Sequence, residues 1–160
     1  MNNLRGKTKY LVLLLLVVSA GSCNSGKTVY KQNFDIPHQT WDYDSVIEFS
    51  VNIEDTLNWY KIDFTVKHTE EYPFANLWIK SIIIAPDKTY RTDTVNIPFL
   101  DQNQRWIGTA IGRTWTLEYP YADSVRFLKK GKYTFLIQHI MRPQQINYIK
   151  SFGITIKKSK

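Results

Sequence analysis

The sequence predicts an all-β protein, an antiparallel β-sandwich of jelly-roll or immunoglobulin-like type. Three observations carry this. Apolar and polar residues alternate with a period of two in several separate segments, no segment keeps the i, i+3, i+4, i+7 apolar spacing of an amphipathic helix beyond a turn or two, and turn-forming residues fall between the alternating runs. Seven or eight such strands in a single open sheet would leave a hydrophobic face wet, so two sheets are expected to pack together.

In chain order, Ile47, Phe49, Val51 and Ile53 alternate with Glu48, Ser50 and Asn52, and Tyr60, Ile62, Phe64 and Val66 alternate with Lys61, Asp63, Thr65 and Lys67. Both read as half-buried strands. Trp78 to Ala85 is a more continuous apolar run, which suits a strand covered on both faces. Tyr90 to Ile97 and Val125 to Phe127 are weaker strands, whereas Tyr133, Phe135 and Ile137, and then Phe152, Ile154 and Ile156, restore a clear alternation. Ala85-Pro86-Asp87-Lys88 places Pro for a type I turn, and Lys129-Lys130-Gly131-Lys132 offers a Gly for positive φ.

The length of 160 residues is one domain's worth of chain, and 43% hydrophobic with 14% aromatic residues suffices for a sizeable core. The 21 Lys and Arg exceed the 14 Asp and Glu by seven, but three of the positives and none of the acids lie in the first 22 residues, leaving +4. The remaining positives are scattered singles plus the groups Lys129/Lys130/Lys132 and Lys157/Lys158/Lys160, without a nucleic-acid-reading motif, so no nucleic-acid partner is expected. A lone Cys23 excludes an intrachain disulfide and any multi-cysteine metal site.

Cys23 has another use. Met1 to Lys9 is short and cationic, Leu11 to Val18 is an unbroken apolar run, and Ser19-Ala20-Gly21-Ser22 ends directly at Cys23. The run falls far short of the ~20 residues needed to cross the hydrocarbon core, so this is a cleaved signal rather than a transmembrane span. A cysteine at the cut resembles a bacterial lipoprotein signal, although Ala20 stands where the lipobox most often has Leu. The expected organisation is a signal peptide over 1–22, a lipidated Cys23 and short tether over 23–28, and a single β-sandwich domain over 29–160. The only non-protein group expected is the diacylglycerol and N-acyl chain on Cys23, which anchors the protein to a membrane.

No catalytic or metal centre stands out. His68 and His139 continue the inward phase of their strands and read as buried neutral imidazoles, while Glu70-Glu71 and Asp42/Asp44 are adjacent carboxylates in loops rather than a pair ~5–9.5 Å apart across a cleft. Nucleophile-elbow, phosphate-loop, zinc-helix and dinucleotide motifs are lacking. The aromatic excess is more telling. Trp41, Tyr72, Phe74, Trp106 and Trp115 fall outside the alternating runs and form the candidate interaction surface, for docking on a protein or, alternatively, for stacking on carbohydrate. A hydrolase using His68 or His139 as base would need either residue in a cleft with a carboxylate.

Several blocks carry a family resemblance: Tyr30 with Phe34-Asp35-Ile36-Pro37 and Trp41; Lys67 through Trp78; Trp106-Ile107-Gly108 with Gly112; Val125-Arg126-Phe127; Gly131, Tyr133 and Phe135; and His139-Ile140-Met141-Arg142. In order and spacing, from about Tyr30 to Ile156, they resemble the gliding motility-associated lipoprotein GldH family. The resemblance implies a non-enzymatic lipoprotein of the outer membrane, needed for surface motility and linked to type IX secretion. Its partners would be other envelope proteins of that apparatus. Cys23 is the one functional position that carries over, and the tether after it places the domain on the periplasmic side.

Overall fold

The computed structural model describes residues 26–159. The expected signal peptide over 1–22 and the expected lipid-attachment residue Cys23 lie outside the described residues.

Among those residues the chain forms eleven strands, β1 (Thr28–Asp35), β2 (Thr40–Asp42), β3 (Ile47–Ile53), β4 (Tyr60–Thr69), β5 (Asn76–Ile84), β6 (Tyr90–Pro98), β7 (Thr109–Ile111), β8 (Thr114–Val125), β9 (Gly131–His139), β10 (Gln145–Asn147) and β11 (Ile149–Lys158). They pair antiparallel into a five-stranded sheet β1-β11-β4-β8-β7, a four-stranded sheet β3-β9-β5-β6 and a ribbon β10-β2. The larger sheets form the antiparallel sandwich that alternation demanded: Ile47, Phe49, Val51 and Ile53 are all buried on β3, while Glu48, Ser50 and Asn52 face water. Phe49 on one sheet and Phe152 on the other lie 6.4 Å apart between ring centroids, at the heart of the shared core.

The strand count exceeds the seven or eight that alternation predicts. β1 begins at Thr28, at the end of the segment read as tether, and is exposed along most of its length because it edges its sheet against β11 alone. β8 carries Trp115, Tyr119 and Tyr121, which the sequence pattern leaves in non-strand segments. Pro120 interrupts its periodicity, and the β4–β8 register shifts twice nearby, between Tyr60 and Ile62 and between Ile62 and Asp63. Val125 closes β8, and Phe127, read as part of a weak strand, lies buried in the following connection. The predicted turn at Ala85 closes with the Lys88 N–H donating to the Ala85 carbonyl at 2.9 Å, and Gly131 has the positive φ, +123°, that its position called for.

Hairpin register sorts the connections to two opposite ends. The start of β1, the end of β11 and the β3–β4, β5–β6 and β8–β9 connections share one end, as the pairs Thr28–Lys157, Tyr60–Lys158, Tyr60–Val125, Ile53–Gly131 and Ile84–Tyr90 require. The β4–β5, β6–β7 and β7–β8 connections and the β2/β10 ribbon gather at the other, distal from Gly26.

Candidate functional site

Both inward-phase histidines arrive at the distal end, in separate aromatic nests. His68, fully buried, lies flat on Phe99 with centroids 4.5 Å apart, tilts against Trp106 at 4.7 Å and neighbours Tyr72 at 5.8 Å. Its Nδ1 pairs with the Thr69 carbonyl at 2.9 Å, while Nε2 has no partner among the described residues. His139 is held edge-on between Trp41 at 5.5 Å and Tyr43 at 5.8 Å, and neither ring nitrogen reaches hydrogen-bond geometry. Burial pushes both imidazoles below their ordinary pKa, against a weaker upward pull from the Thr69 carbonyl on His68 and from the Trp41 backbone and the Asp42 charge on His139. Both rings are fully buried in aromatic packing, and among the described residues no carboxylate hydrogen-bonds to either of them.

The adjacent carboxylates serve the surface. Glu70 Oε1 accepts from Arg113 Nε at 2.6 Å and Glu71 meets the same guanidinium, which clamps the β7–β8 turn to the β4–β5 connection. Asp42 accepts from Gln145 at 2.7 Å and Asp44 from Gln144 at 3.2 Å, tying the ribbon together. Among the described residues no group of three or more His, Cys, Asp or Glu comes together as metal ligands.

Two members of the expected interaction surface are in the core. Trp41 is 2% exposed: β2 and β10 fold it inward against His139 and Phe152, and its indole N–H donates to the Ser45 carbonyl at 3.0 Å. Tyr72 is 3% exposed, donates its hydroxyl to the Asn76 carbonyl at 3.1 Å, and burial drives its phenol well above the ordinary tyrosine range. Trp41 is carried inward on β2, which pairs with β10, and Tyr72 by the β4–β5 connection. Phe74, Trp106 and Trp115 are half-buried. Trp106 spends its contact on His68, and Trp115 sits inside β8 opposite His68 on β4 and Ala110 on β7.

Trp78 is the residue that strand reading misplaced. Leu77 and Ile79 are fully buried, whereas Trp78 between them is 39% exposed, so β5 shows an outer face here and is not covered on both sides. Strict alternation was the available signal, masked by the apolar run around it. Phe74, Trp78, Ile140, Met141, Arg142 and Pro143 line an open groove of about 410 Å³ at the distal end. The Ile140 N–H donates to the Trp78 carbonyl at 2.9 Å and the Trp78 N–H points at Met141 Sδ, 3.3 Å away, fixing both walls through the backbone. A flexible thioether, two aromatic rings and a cation at the rim make a surface able to mould around an apolar ligand with an acidic edge.

Fold and site together define a two-sheet β-sandwich with an aromatic-packed distal end and an apolar groove on its outer face. The chain belongs to the GldH lipoprotein family, whose model matches residues 28–156. It is 24% identical over 163 residues to the gliding motility lipoprotein GldH homolog of Christiangramia forsetii, covering 98% of this chain and 99% of that one. It is 25% identical over 131 residues to gliding motility lipoprotein GldH of Flavobacterium johnsoniae, covering 82% and 80%. Among solved structures, infectious bursal disease virus Gt strain overlaps 84% of this chain and 32% of that chain at TM-score 0.41 and 13% identity. The Yersinia pseudotuberculosis-derived mitogen overlaps 82% and 87% at TM-score 0.36 and 7% identity. Both are loose likenesses. Among the described residues no helix is long and apolar enough to cross a membrane.

Proposed function

We propose that this chain is a lipid-anchored outer-membrane protein, facing the periplasm, that serves gliding motility and type IX secretion as a non-catalytic docking domain. Cys23 carries the diacylglycerol and N-acyl chain, the only prosthetic group in this reading, and residues 29–160 form the single working domain. The family and the names of the two relatives support the motility role. One observation carries the docking role: the blocks Lys67–Trp78 and His139–Arg142, far apart in sequence, both contribute walls to one groove at the end away from Gly26. A tether at one end therefore presents the groove at the other. Trp, Met and Arg at a half-open apolar surface are the residue types that anchor protein partners.

The test is complementation of a deletion strain. Wild type restores spreading and secretion, whereas the pair Phe74→Ala and Trp78→Ala, and separately Cys23→Ala, leave a folded domain that restores neither. Full rescue by the groove pair defeats docking there, and full rescue by Cys23→Ala defeats anchoring. Reproducible binding on a glycan array, lost with Trp106→Ala or Trp115→Ala, would transfer the function to carbohydrate recognition.

A further inference from the structure

We infer that the N-terminal end of the sandwich is a membrane-facing surface, on which Leu57, Trp59 and Leu128 enter the headgroup layer of the leaflet that holds the anchor, with Arg126, Lys129 and Lys158 at their rim. This rests on the reading of Cys23 as the lipid-attachment residue. Cys23 is three residues from Gly26, a span of at most about 11 Å when fully extended. Gly26 itself is pressed against the end of β11, where any Cβ would collide with the Lys158 carbonyl oxygen. The Lys158 N–H donates to the Lys27 carbonyl at 2.9 Å, and the next N–H, of Ser159, donates to the Trp59 carbonyl at 2.7 Å. The anchored segment, the last strand and the Trp59 loop are thus joined by consecutive backbone hydrogen bonds. A membrane that holds Cys23 lies against this loop.

The side chains at this end suit that neighbour. Leu57 is 82% exposed, Leu128 78% and Trp59 50%, three large apolar side chains brought to one end of the sandwich by the β3–β4 and β8–β9 connections. Asp55 accepts the Leu57 N–H at 2.9 Å and so holds the loop in the shape that turns Leu57 outward. The Arg126 guanidinium lies 5.7 Å from the centre of the Trp59 ring and donates to the Thr56 carbonyl at 3.3 Å. An indole with a cation beside it is the pairing found where lipid headgroups meet the apolar layer.

Charge points the same way. Residues 26–28, 54–61, 85–91, 123–132 and 157–159 carry ten Lys and Arg against four Asp and Glu, net +6, whereas the chain from residue 23 onward carries +4, so the rest is net negative. Asp55 and Asp87 neutralise Lys158 and Lys129 locally, and the +6 already includes them. Such an end is drawn to anionic lipid within a Debye length of the surface. It is repelled by a second copy of itself, which argues for lipid as the occupant rather than self-association.

The experiment uses the purified, acylated protein in vesicles of phosphatidylethanolamine and phosphatidylglycerol with brominated acyl chains. Tryptophan fluorescence is expected to be quenched, with most of the quenching lost in Trp59→Phe and in the pair Leu57→Asp and Leu128→Asp. The pair keeps the wild-type melting temperature, because both residues are on the surface. Mass spectrometry of Cys23 separates the two readings. An unacylated Cys23 overturns the anchor and this inference with it, whereas acylated protein in vesicles whose quenching survives Trp59→Phe overturns this inference alone. So does a dimer in detergent that Leu57→Asp dissociates while quenching is unchanged, since the patch would then belong to a second copy.

Discussion

The His68 imidazole lies parallel to the Phe99 ring, with centroids 4.5 Å apart and planes within 5°. This stack fastens β4 of the larger sheet to the connection that leaves β6 of the smaller one, so a titratable ring helps to close the distal end of the sandwich.

That placement makes stability pH-dependent on the acid side of neutrality. Burial lowers the pKa of His68 and of His139 in the fold, while the unfolded chain takes up protons near 6.5. The unfolded state therefore binds more protons as pH drops, and stability that is complete above about pH 6.5 declines below it, by at most about 1.4 kcal/mol per pH unit for each histidine. Urea denaturation from about pH 8 to 5 should show this slope, and His68→Phe, which keeps a ring but cannot titrate, should reduce it. An unchanged slope would mean that His68 is not held neutral by the fold.

Trp41→Ala should cost about 3–5 kcal/mol, because it empties a fully packed site against His139 and Phe152. Trp59→Ala, at an exposed position, should stay within about 1 kcal/mol. Chemical denaturation of the two variants distinguishes core from surface tryptophan directly.

Gly131→Ala should destabilise by about 1–3 kcal/mol, since φ is +123° and the new Cβ would sit 3.2 Å from two atoms of Pro86. Gly112→Asn, at φ +58° with nothing within 4 Å of the added Cβ, should stay within about 1 kcal/mol. The contrast is read from the two denaturation midpoints.

Asp87 joins the β5–β6 turn to the β8–β9 connection through Lys129. That lysine, with the Thr89 hydroxyl, holds its carboxyl down at about 2, below the ordinary 3.8. The folded protein thus resists protonation there more than the unfolded chain does, so this contribution is present above the ordinary value and disappears as pH falls through about 2. In acid titrations followed by circular dichroism, Asp87→Asn should lose less stability between about pH 4 and 2 than wild type.

Strand character was legible wherever one face of a strand meets the core. β3 has the bounds its alternation marks, β4, β6, β9 and β11 each contain the predicted run, and β5 contains all of its run but Ala85. β1 gave little signal because an edge strand with both faces largely wet has no reason to alternate. The candidate site was legible in part: Phe74 lines the groove, but Trp41 and Tyr72 are interior and Trp78 is the more exposed ring. Trp41 is buried by pairing with Ile146 on β10, a partner that no local window contains.

From the sequence by itself follow the all-β class and the inward phase of His68 and His139, because each depends on residues within a few positions of one another. Only the tertiary structure decided which aromatic rings are covered, that Phe74 and Met141 share a groove, and that the Trp59 loop meets the end of β11. Burial at any one side chain is set by every segment that packs over it. Here the register of strands distant in the chain, rather than the character of any one strand, determines which segments those are.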